Sequence, residues 1–94
     1  MITGTLLVNG NSAKVLFNSS ATHSFISNIF TTSLGCHCLE TVNDEFWVRT
    51  PMGVDVRITH RIPSLEVNLA TKYLAIEVFI LGMKNFNVIS EWIG

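Results

Sequence analysis

Strand-forming and turn-forming residues alternate over residues 2–17 in a way that is typical of a β-hairpin. Residues 2–8 are rich in β-branched and aliphatic side chains, and residues 13–17 form a second, mostly apolar segment. Between them lies Asn9-Gly10, which favours a tight type I′ turn because both residue types tolerate positive φ. The sequence therefore predicts two antiparallel strands joined at this turn.

A helical period follows after a polar loop. Apolar side chains recur at helical spacing at five positions: Phe25, Ile26, Ile29, Phe30 and Leu34. Ser24 precedes them as a suitable N-cap, and Gly35 follows them where a left-handed C-terminal cap is expected. The pattern predicts a helix of about three turns.

The second half of the chain returns to strand patterns. Residues 46–49 and 54–58 are short strand-like segments on either side of Thr50-Pro51-Met52-Gly53, whose Pro and Gly fit a tight turn. Residues 65–69 alternate with period two, and residues 73–81 form a mostly apolar run. The chain is therefore predicted to be mainly β with one clear α-helix, as a small closed β-barrel or a sandwich.

Composition limits the size and class of the protein. The chain has 94 residues, of which 48% are hydrophobic and 14% charged. A single domain spanning residues 1–94 is expected, because no linker, repeat or low-complexity stretch divides it. A chain this short and apolar should leave hydrophobic surface uncovered, and a homodimer is the simplest way to cover it.

Charge and hydropathy argue against two kinds of partner. The net charge is −1 and the six basic residues are scattered, so no direct nucleic-acid partner is predicted. No apolar run approaches ~18 residues, and no leader-like pattern opens the chain. No membrane partner is therefore predicted, and an intracellular, soluble protein is expected.

The two cysteines offer a candidate metal site that the spacing disfavours. Cys36 and Cys38 are badly placed for a mutual disulfide. Cys36-His37-Cys38 could bind a metal together with His23 or His60, but structural zinc sites normally separate their cysteines by two to four residues. Three such residues more commonly form an ordinary junction between a helix and a strand than a metal site. Neither a metal nor another cofactor is predicted.

The polar loop carries a resemblance to a known family. Residues 15–26 read Val-Leu-Phe-Asn-Ser-Ser-Ala-Thr-His-Ser-Phe-Ile. They resemble the hydrophobic-Asp-Ser/Thr-Gly-Ala-Thr-His-Ser-Phe-Ile segment of retroviral-type aspartic proteases from gypsy-class LTR retrotransposons, especially plant ones. Residues 3–17 are similar to the opening hairpin of that family, and residues 50–53 to its flap turn. Residues 83–89 resemble its Met-Lys-Asp-Phe-Asp-Val-Ile run, and residues 91–93 its Asp-Trp-Leu.

The resemblance implies a retropepsin-like subunit that pairs with a second copy. Its ancestral reaction is proteolysis of a polyprotein by an activated water, without metal or cofactor. The matching positions assign Asn18, Ser19 and Ser20 to the catalytic loop, with Ser19 able to brace the two subunits' loops. Peptide substrate would contact Ala21 and the flap-turn residues: Thr50, Pro51, Met52 and Gly53.

Two departures in the catalytic loop predict an inactive protein. Asn18 stands where the family has its catalytic aspartate, and Ser20 where it has glycine. The family reaction needs two carboxyl groups about 3 Å apart, one ionised and one protonated. An amide cannot accept the proton of the attacking water near neutral pH. The side chain of Ser20 adds bulk and restricts a backbone that glycine leaves free.

The C-terminal residues depart from the family as well. Only Ile89 and Ser90 stand where the family has Ile-Leu-Gly-Met before Asp-Trp, which indicates a short deletion. The sequence stops at Gly94, before the strand that completes the dimer sheet in the family. The domain is therefore expected to lack its C-terminal dimer strand, either because that strand lies outside these residues or because the copy is degenerate.

Three further interpretations of these residues are possible. His23 with Ser24 or Ser19 could form a nucleophile and base, but no acidic residue lies nearby in sequence, and a packed histidine beside a capping serine is favoured. A non-catalytic module could hold an extended peptide in the inherited cleft by strand addition. Asn18 could also be an engineered substitution or a target of deamidation, since an asparagine followed by a small residue is chemically labile.

Overall fold

A computed structural model describes residues 2–18, 22–35, 39–50, 53–68, 72–83 and 86–90. Within these ranges the chain forms seven strands and one helix. They are β1 (Ile2–Val8), β2 (Asn11–Phe17), β3 (Phe25–Ser27), α1 (Asn28–Leu34), β4 (Glu40–Arg49), β5 (Asp55–Asn68), β6 (Tyr73–Leu81) and β7 (Val88–Ser90). The prediction of a mainly β fold with one clear helix is confirmed over the part of the chain that is described.

The first hairpin forms as predicted. β1 and β2 pair antiparallel from Ile2 opposite Phe17 to Val8 opposite Asn11. Asn9 has φ 50° and Gly10 has φ 81°, the positive values that a type I′ turn requires at both central positions. Because this turn contains only two residues, β2 begins at Asn11, earlier than the apolar pattern alone suggested.

Six of the strands close into a barrel. The sheet order is β1-β2-β7-β3-β6-β5-β4, and a further pairing joins β1 to β5. In that pairing Leu7 lies opposite Asn68 and Val8 opposite Val67. Closure of the ring removes the free edges that an open sheet would present. β4 stands outside the ring and pairs with β5 alone among the described strands.

The predicted helix begins later than expected. Phe25 and Ile26 belong to strand β3, which pairs in parallel with β6 and antiparallel with β7. A short apolar run buried between two strands cannot be told from a helix start by periodicity alone. The helix therefore spans Asn28–Leu34, and Ser27, not Ser24, is its N-cap. The predicted C-cap is confirmed, because Gly35 has φ 63° and donates its N–H to the Thr32 carbonyl at 3.2 Å.

Removal of the Ser27 hydroxyl should destabilise the protein. Ser27 is only 2% exposed, and its Oγ accepts from the Phe30 N–H and donates to the Met83 carbonyl, both at 3.4 Å. We expect Ser27→Ala to lower the free energy of unfolding by about 0.5–2 kcal/mol. Ser33→Ala, inside the same helix and exposed, should be nearly neutral because alanine favours helix. Urea denaturation measures the free energy of unfolding of both variants and shows whether the loss is specific to the N-cap position or common to any serine in this region.

The second half of the sheet contains one long strand where two were predicted. β5 runs without interruption from Asp55 to Asn68. Its pairing with β6 shifts register between Ile62 and Leu65, and Pro63 lies at that shift. A proline cannot donate to the ladder, so a register break is where a long paired strand tolerates it.

Two apolar clusters form the core. The first draws residues from all six barrel strands and includes Val15, Ile26, Ile62 and Val88, all fully buried. On β2, β3, β6 and β7 the second cluster lies on the opposite face, because neighbouring residues along a strand point to opposite sides. Its buried members are Leu16, Phe25, Ile58, Phe79, Leu81 and Ile89.

The described part of the chain contains no helix long and apolar enough to cross a membrane.

Candidate active site

Asn18 lies at the end of β2 and is held by the neighbouring strand. β2 and β7 run parallel, with Phe17 opposite Ser90. The Asn18 backbone N–H donates to the Ser90 carbonyl at 2.9 Å. Asn18 itself is half-buried, and Ser90 is fully buried. The backbone of position 18 is therefore fixed directly after the last residue of β2, beside β7.

Asn87 ties together the strands that support this position. Its backbone N–H donates to the Lys14 carbonyl at 2.9 Å, and its Oδ1 accepts from the Lys14 N–H at 2.7 Å. Its carbonyl also accepts from the Ser27 N–H at 2.8 Å. One residue thus joins β2 to the start of the helix just before β7 begins. These bonds set the register of β7 beside β2, and with it the Ser90 carbonyl that holds Asn18.

Substitutions at Asn87 should show whether stability requires only a side-chain oxygen that accepts from the Lys14 N–H or the whole amide group. Asn87→Ala leaves the Lys14 N–H without its side-chain acceptor, and we expect a loss of about 1–3 kcal/mol in the free energy of unfolding. Asn87→Asp keeps an oxygen in that place and should cost clearly less. Thermal unfolding of the two variants measures the difference. Equal losses would show that the Lys14 bond does not stabilise the strand pair.

His23 packs among aromatic rings beyond the loop. Its ring centroid lies 5.1 Å from that of Phe46, 5.2 Å from Phe79 and 6.3 Å from Phe25. Its Nδ1 lies 2.9 Å from the Thr22 hydroxyl oxygen. These contacts connect the residues after the loop to β4 and β6, and they confirm the interpretation of His23 as a packed histidine. The neighbouring Ser24 is buried, and its carbonyl accepts from the Phe79 N–H at 2.9 Å.

Thr50 and Gly53, the described residues of the turn that the sequence predicts as a flap, lie at the tip of the hairpin formed by β4 and β5. The Thr50 N–H donates to the Val54 carbonyl at 2.8 Å, and the Gly53 N–H donates to the Thr50 carbonyl at 2.9 Å. The Thr50 hydroxyl also accepts from the Val54 N–H at 3.2 Å. Gly53 has φ 82°, a conformation that glycine adopts without steric cost. The structure therefore places Thr50 and Gly53 at the tight turn that the sequence predicted.

The hairpin arm, residues 46–49 with residues 55–58, has one apolar and one polar face. Phe46, Val48 and Val56 pack against the second core cluster. The other face carries Trp47, which is 69% exposed, and salt bridges that join Arg57 to Glu45 and Arg49 to Asp55. The hydrogen bonds that Arg49 donates to the Asp55 carboxylate raise the pKa of the Arg49 guanidinium. An arm of this kind can cover a cleft with its apolar face while the polar face stays in water.

Several predicted site residues lie outside the described residues. These are Ser19, Ser20 and Ala21 in the loop, Pro51 and Met52 in the turn, and the candidate metal ligands Cys36, His37 and Cys38. Their assigned roles stay predictions. Of the predicted site residues, the structure locates Asn18, Thr50 and Gly53, at the end of β2 and at the tip of the arm.

An open groove elsewhere on the surface does not compete as the active site. It has a volume of about 660 Å³, and residues 40–44, Phe46, Arg61, Glu77 and Phe79 line it. Arg61 pairs with both Glu40 and Glu77, and Asp44 also lies in the lining, so the groove has an excess of negative charge. Of the predicted site residues that the structure describes, neither Asn18 nor Thr50 nor Gly53 lines this groove.

The contributions of Asn87 and Ser27 were not expected from the sequence. Asn87 was recognised only as part of a resemblance, where the family has an aspartate. The available signal was the position of a short polar residue just before an apolar strand, where its side chain can bond to a neighbouring backbone. Ser27 lies three residues after Ser24, and its signal was that of an N-cap, a serine whose side chain can accept from a backbone N–H of the first helical turn.

Comparison with solved structures agrees with the class of fold. The chain is similar to the crystal structure of the retroviral protease-like domain of Ddi1 from Leishmania major, with a TM-score of 0.71 and 20% sequence identity. The match covers 97% of this chain and 67% of that one. At this identity the likeness shows the fold, which is that of a retropepsin-like domain.

The family is shown by the sequence comparison. Residues 1–93 match the family model described as retroviral aspartyl protease, and the chain belongs to that family. A search among curated proteins finds no match.

Proposed function

We propose that the chain is the aspartic protease domain of a gypsy-class LTR retrotransposon of the plant type, in a degenerate and catalytically inactive copy. Its ancestral reaction is endoproteolysis of a polyprotein by an activated water. One observation carries the proposal. The residue held at the end of β2 by the Ser90 carbonyl, at the position of the family's aspartate, is Asn18.

An amide at this position removes the acid–base chemistry of the reaction. In the family two carboxyl groups lie so close that they cannot both ionise, and their pKa values separate. The ionised group takes a proton from the water, while the protonated group donates to the scissile carbonyl. The Asn18 amide can still hydrogen-bond a water, but it has no basic site near neutral pH. Loss of a general base alone lowers a rate by about 10²–10⁴-fold.

The remaining assignments of the proposal come from the family resemblance. Ser19 and Ser20 complete the inherited catalytic loop, while Ala21 and the flap turn contact the peptide. The turn's place at the tip of an arm with an apolar inner face supports this assignment. In the homodimer that we propose, each copy would contribute one Asn18, so both members of the dyad would be amides. The protein needs no metal or cofactor in this scheme, and we propose an intracellular location.

Assay of the wild-type chain tests inactivity. Freshly purified protein incubated with peptides from a retroelement polyprotein should give no cleavage that pepstatin inhibits. A retroviral-type protease with its aspartate intact serves as the positive control for the peptides. Pepstatin-sensitive cleavage by the fresh wild-type chain would contradict the proposal. The proposed origin is tested separately, since the coding sequence next to this domain should contain a reverse transcriptase.

A second candidate function is non-catalytic peptide binding. It is favoured by β4, which pairs with β5 alone among the described strands and so offers its other edge to an added strand. An extended peptide that binds there should lose affinity when its backbone nitrogens are methylated, because methylation removes the donors of the ladder. Calorimetric titration of a peptide and its methylated analogue measures this. Equal affinities would exclude strand addition.

A further inference from the structure

We propose that the outer edge of β4, the edge that does not pair with β5, binds the same edge of a second copy of this chain, antiparallel and centred on Trp47. Among the described strands β4 pairs with β5 alone, so this edge presents backbone donors and acceptors to an added strand. The pairing does not depend on the proposed function. It is also distinct from the homodimer that the family resemblance implies, because a C-terminal strand completes that one.

The hydrogen bonds of the arm determine which residues of β4 face its outer edge. The Thr50 N–H donates to the Val54 carbonyl at 2.8 Å, so the backbone N–H of Thr50 points towards β5. Successive residues along a strand direct their N–H and C=O groups to alternate sides. The two strands of the arm pair without a register shift, so the backbone groups of Trp47 and Arg49 point away from β5. Trp47 can therefore exchange two N–H···O bonds with the same residue of a second copy.

The side chain of Trp47 is suited to the centre of such an interface. It is 69% exposed and lies opposite Arg57 on the outer face of the arm. Tryptophan is enriched in the buried centres of interfaces between proteins. In a pairing centred on Trp47 the two indole rings lie beside each other, and cross-strand aromatic pairs stabilise a sheet. On the inner face the same register places Phe46 opposite Val48, so apolar side chains meet there as well.

The charges beside Trp47 favour a second copy as the occupant of this edge. Glu45 lies two residues before Trp47 and Arg49 two residues after it. Both side chains lie on the outer face, because they form salt bridges with Arg57 and Asp55 of β5. An antiparallel pairing centred on Trp47 places the Glu45 of each copy opposite the Arg49 of the other. A register centred on Glu45 or on Arg49 would instead bring like charges together, which destabilises a sheet.

Sedimentation equilibrium of the whole chain and of charge variants tests the pairing. A pairing along one edge is small, so we expect the wild type to associate weakly and in a concentration-dependent way. Glu45→Arg and Arg49→Glu each place like charges opposite one another at two points, and each should raise the dissociation constant at least about ten-fold. The two changes combined restore opposite charges between the copies and should restore most of the association. Such a rescue cannot arise within one chain, because the new side chains face like charges there, at Arg57 and Asp55.

Two aromatic variants provide a matched control. Trp47→Ser should weaken association as strongly as the single charge changes do. Tyr73→Ser removes a ring that is 68% exposed on β6 and should leave association unchanged. A family dimer survives all of these changes, and the pairing is then measured as the association of dimers.

Three outcomes would overturn the pairing. The first is a wild type that shows no association through this edge up to about 1 mM, whether or not an extended peptide binds there. The second is association that Glu45→Arg, Arg49→Glu and Trp47→Ser all leave unchanged, because it would use another face of the protein. The third is a double charge variant that associates no better than the single variants, because opposite charges would then not meet across the two copies.

Discussion

Asn18→Asp combined with Ser20→Gly is expected to give the protein a peptidase activity that, under the proposed function, the wild type lacks. The first change supplies the carboxyl group, and the second returns the loop to the backbone freedom of glycine. Recovery of general base catalysis should raise the rate of peptide cleavage by at least about 10²–10⁴-fold over the wild type. Asn18→Asp alone should recover little, because the Ser20 side chain still occupies the inherited catalytic loop. The rate at which each protein cleaves a retroelement polyprotein peptide is measured by chromatography for the wild type, for Asn18→Asp and for the double variant.

The recovered rate should depend on pH in a particular way. One carboxyl group must be ionised and the other protonated, so the rate should fall at low pH as both become protonated and fall again as both ionise. A bell-shaped profile in the acidic range is therefore expected. If the doubly changed protein stays folded but shows no pepstatin-sensitive cleavage, the inherited scaffold is not intact around position 18.

Ile26→Ala should destabilise the protein far more than Ile29→Ala, although the two residues lie only three positions apart. Ile26 is fully buried in the barrel core, whereas Ile29 is 67% exposed on the helix. Truncation of the buried side chain leaves a cavity and should cost about 2–5 kcal/mol. Truncation of the exposed one should change the free energy of unfolding by no more than about 0.5 kcal/mol.

Chemical denaturation of the two variants measures the contrast. Each variant removes the same atoms, so the difference between them reports burial and not side-chain chemistry. Similar losses at both positions would favour the helix that the sequence pattern predicted, with both isoleucines on its apolar face. The contrast therefore tests whether the chain changes from strand β3 to helix α1 at Ser27.

Local signals in the sequence were sufficient to predict those parts of the fold in which residues close together in sequence contact one another. Asn9-Gly10 predicted the first turn correctly because the required positive φ values limit the choice of residues. Gly35 predicted the end of the helix for the same reason. The resemblance predicts a catalytic loop at Asn18, Ser19 and Ser20; of these the structure describes Asn18, which follows the last residue of β2.

The features that the sequence did not predict depend on contacts between residues far apart in the chain. Phe25 and Ile26 form a strand only because β6 and β7, more than fifty residues later, lie on both sides of them. The choice between barrel and sandwich depended on the pairing of Leu7 with Asn68, for which neither residue carries a local signal. The ties from Asn87 to Lys14 and Ser27 are likewise non-local.

The most direct test of the central claim is the cleavage activity of Ser20→Gly with its amide at position 18 verified intact by mass spectrometry. This protein differs from the doubly changed one in a single side-chain group, the amide in place of the carboxyl. If the missing carboxyl group is what disables the site, Ser20→Gly should cleave nothing while Asn18→Asp with Ser20→Gly cleaves the same peptide. Equal pepstatin-sensitive activity in both proteins would contradict it.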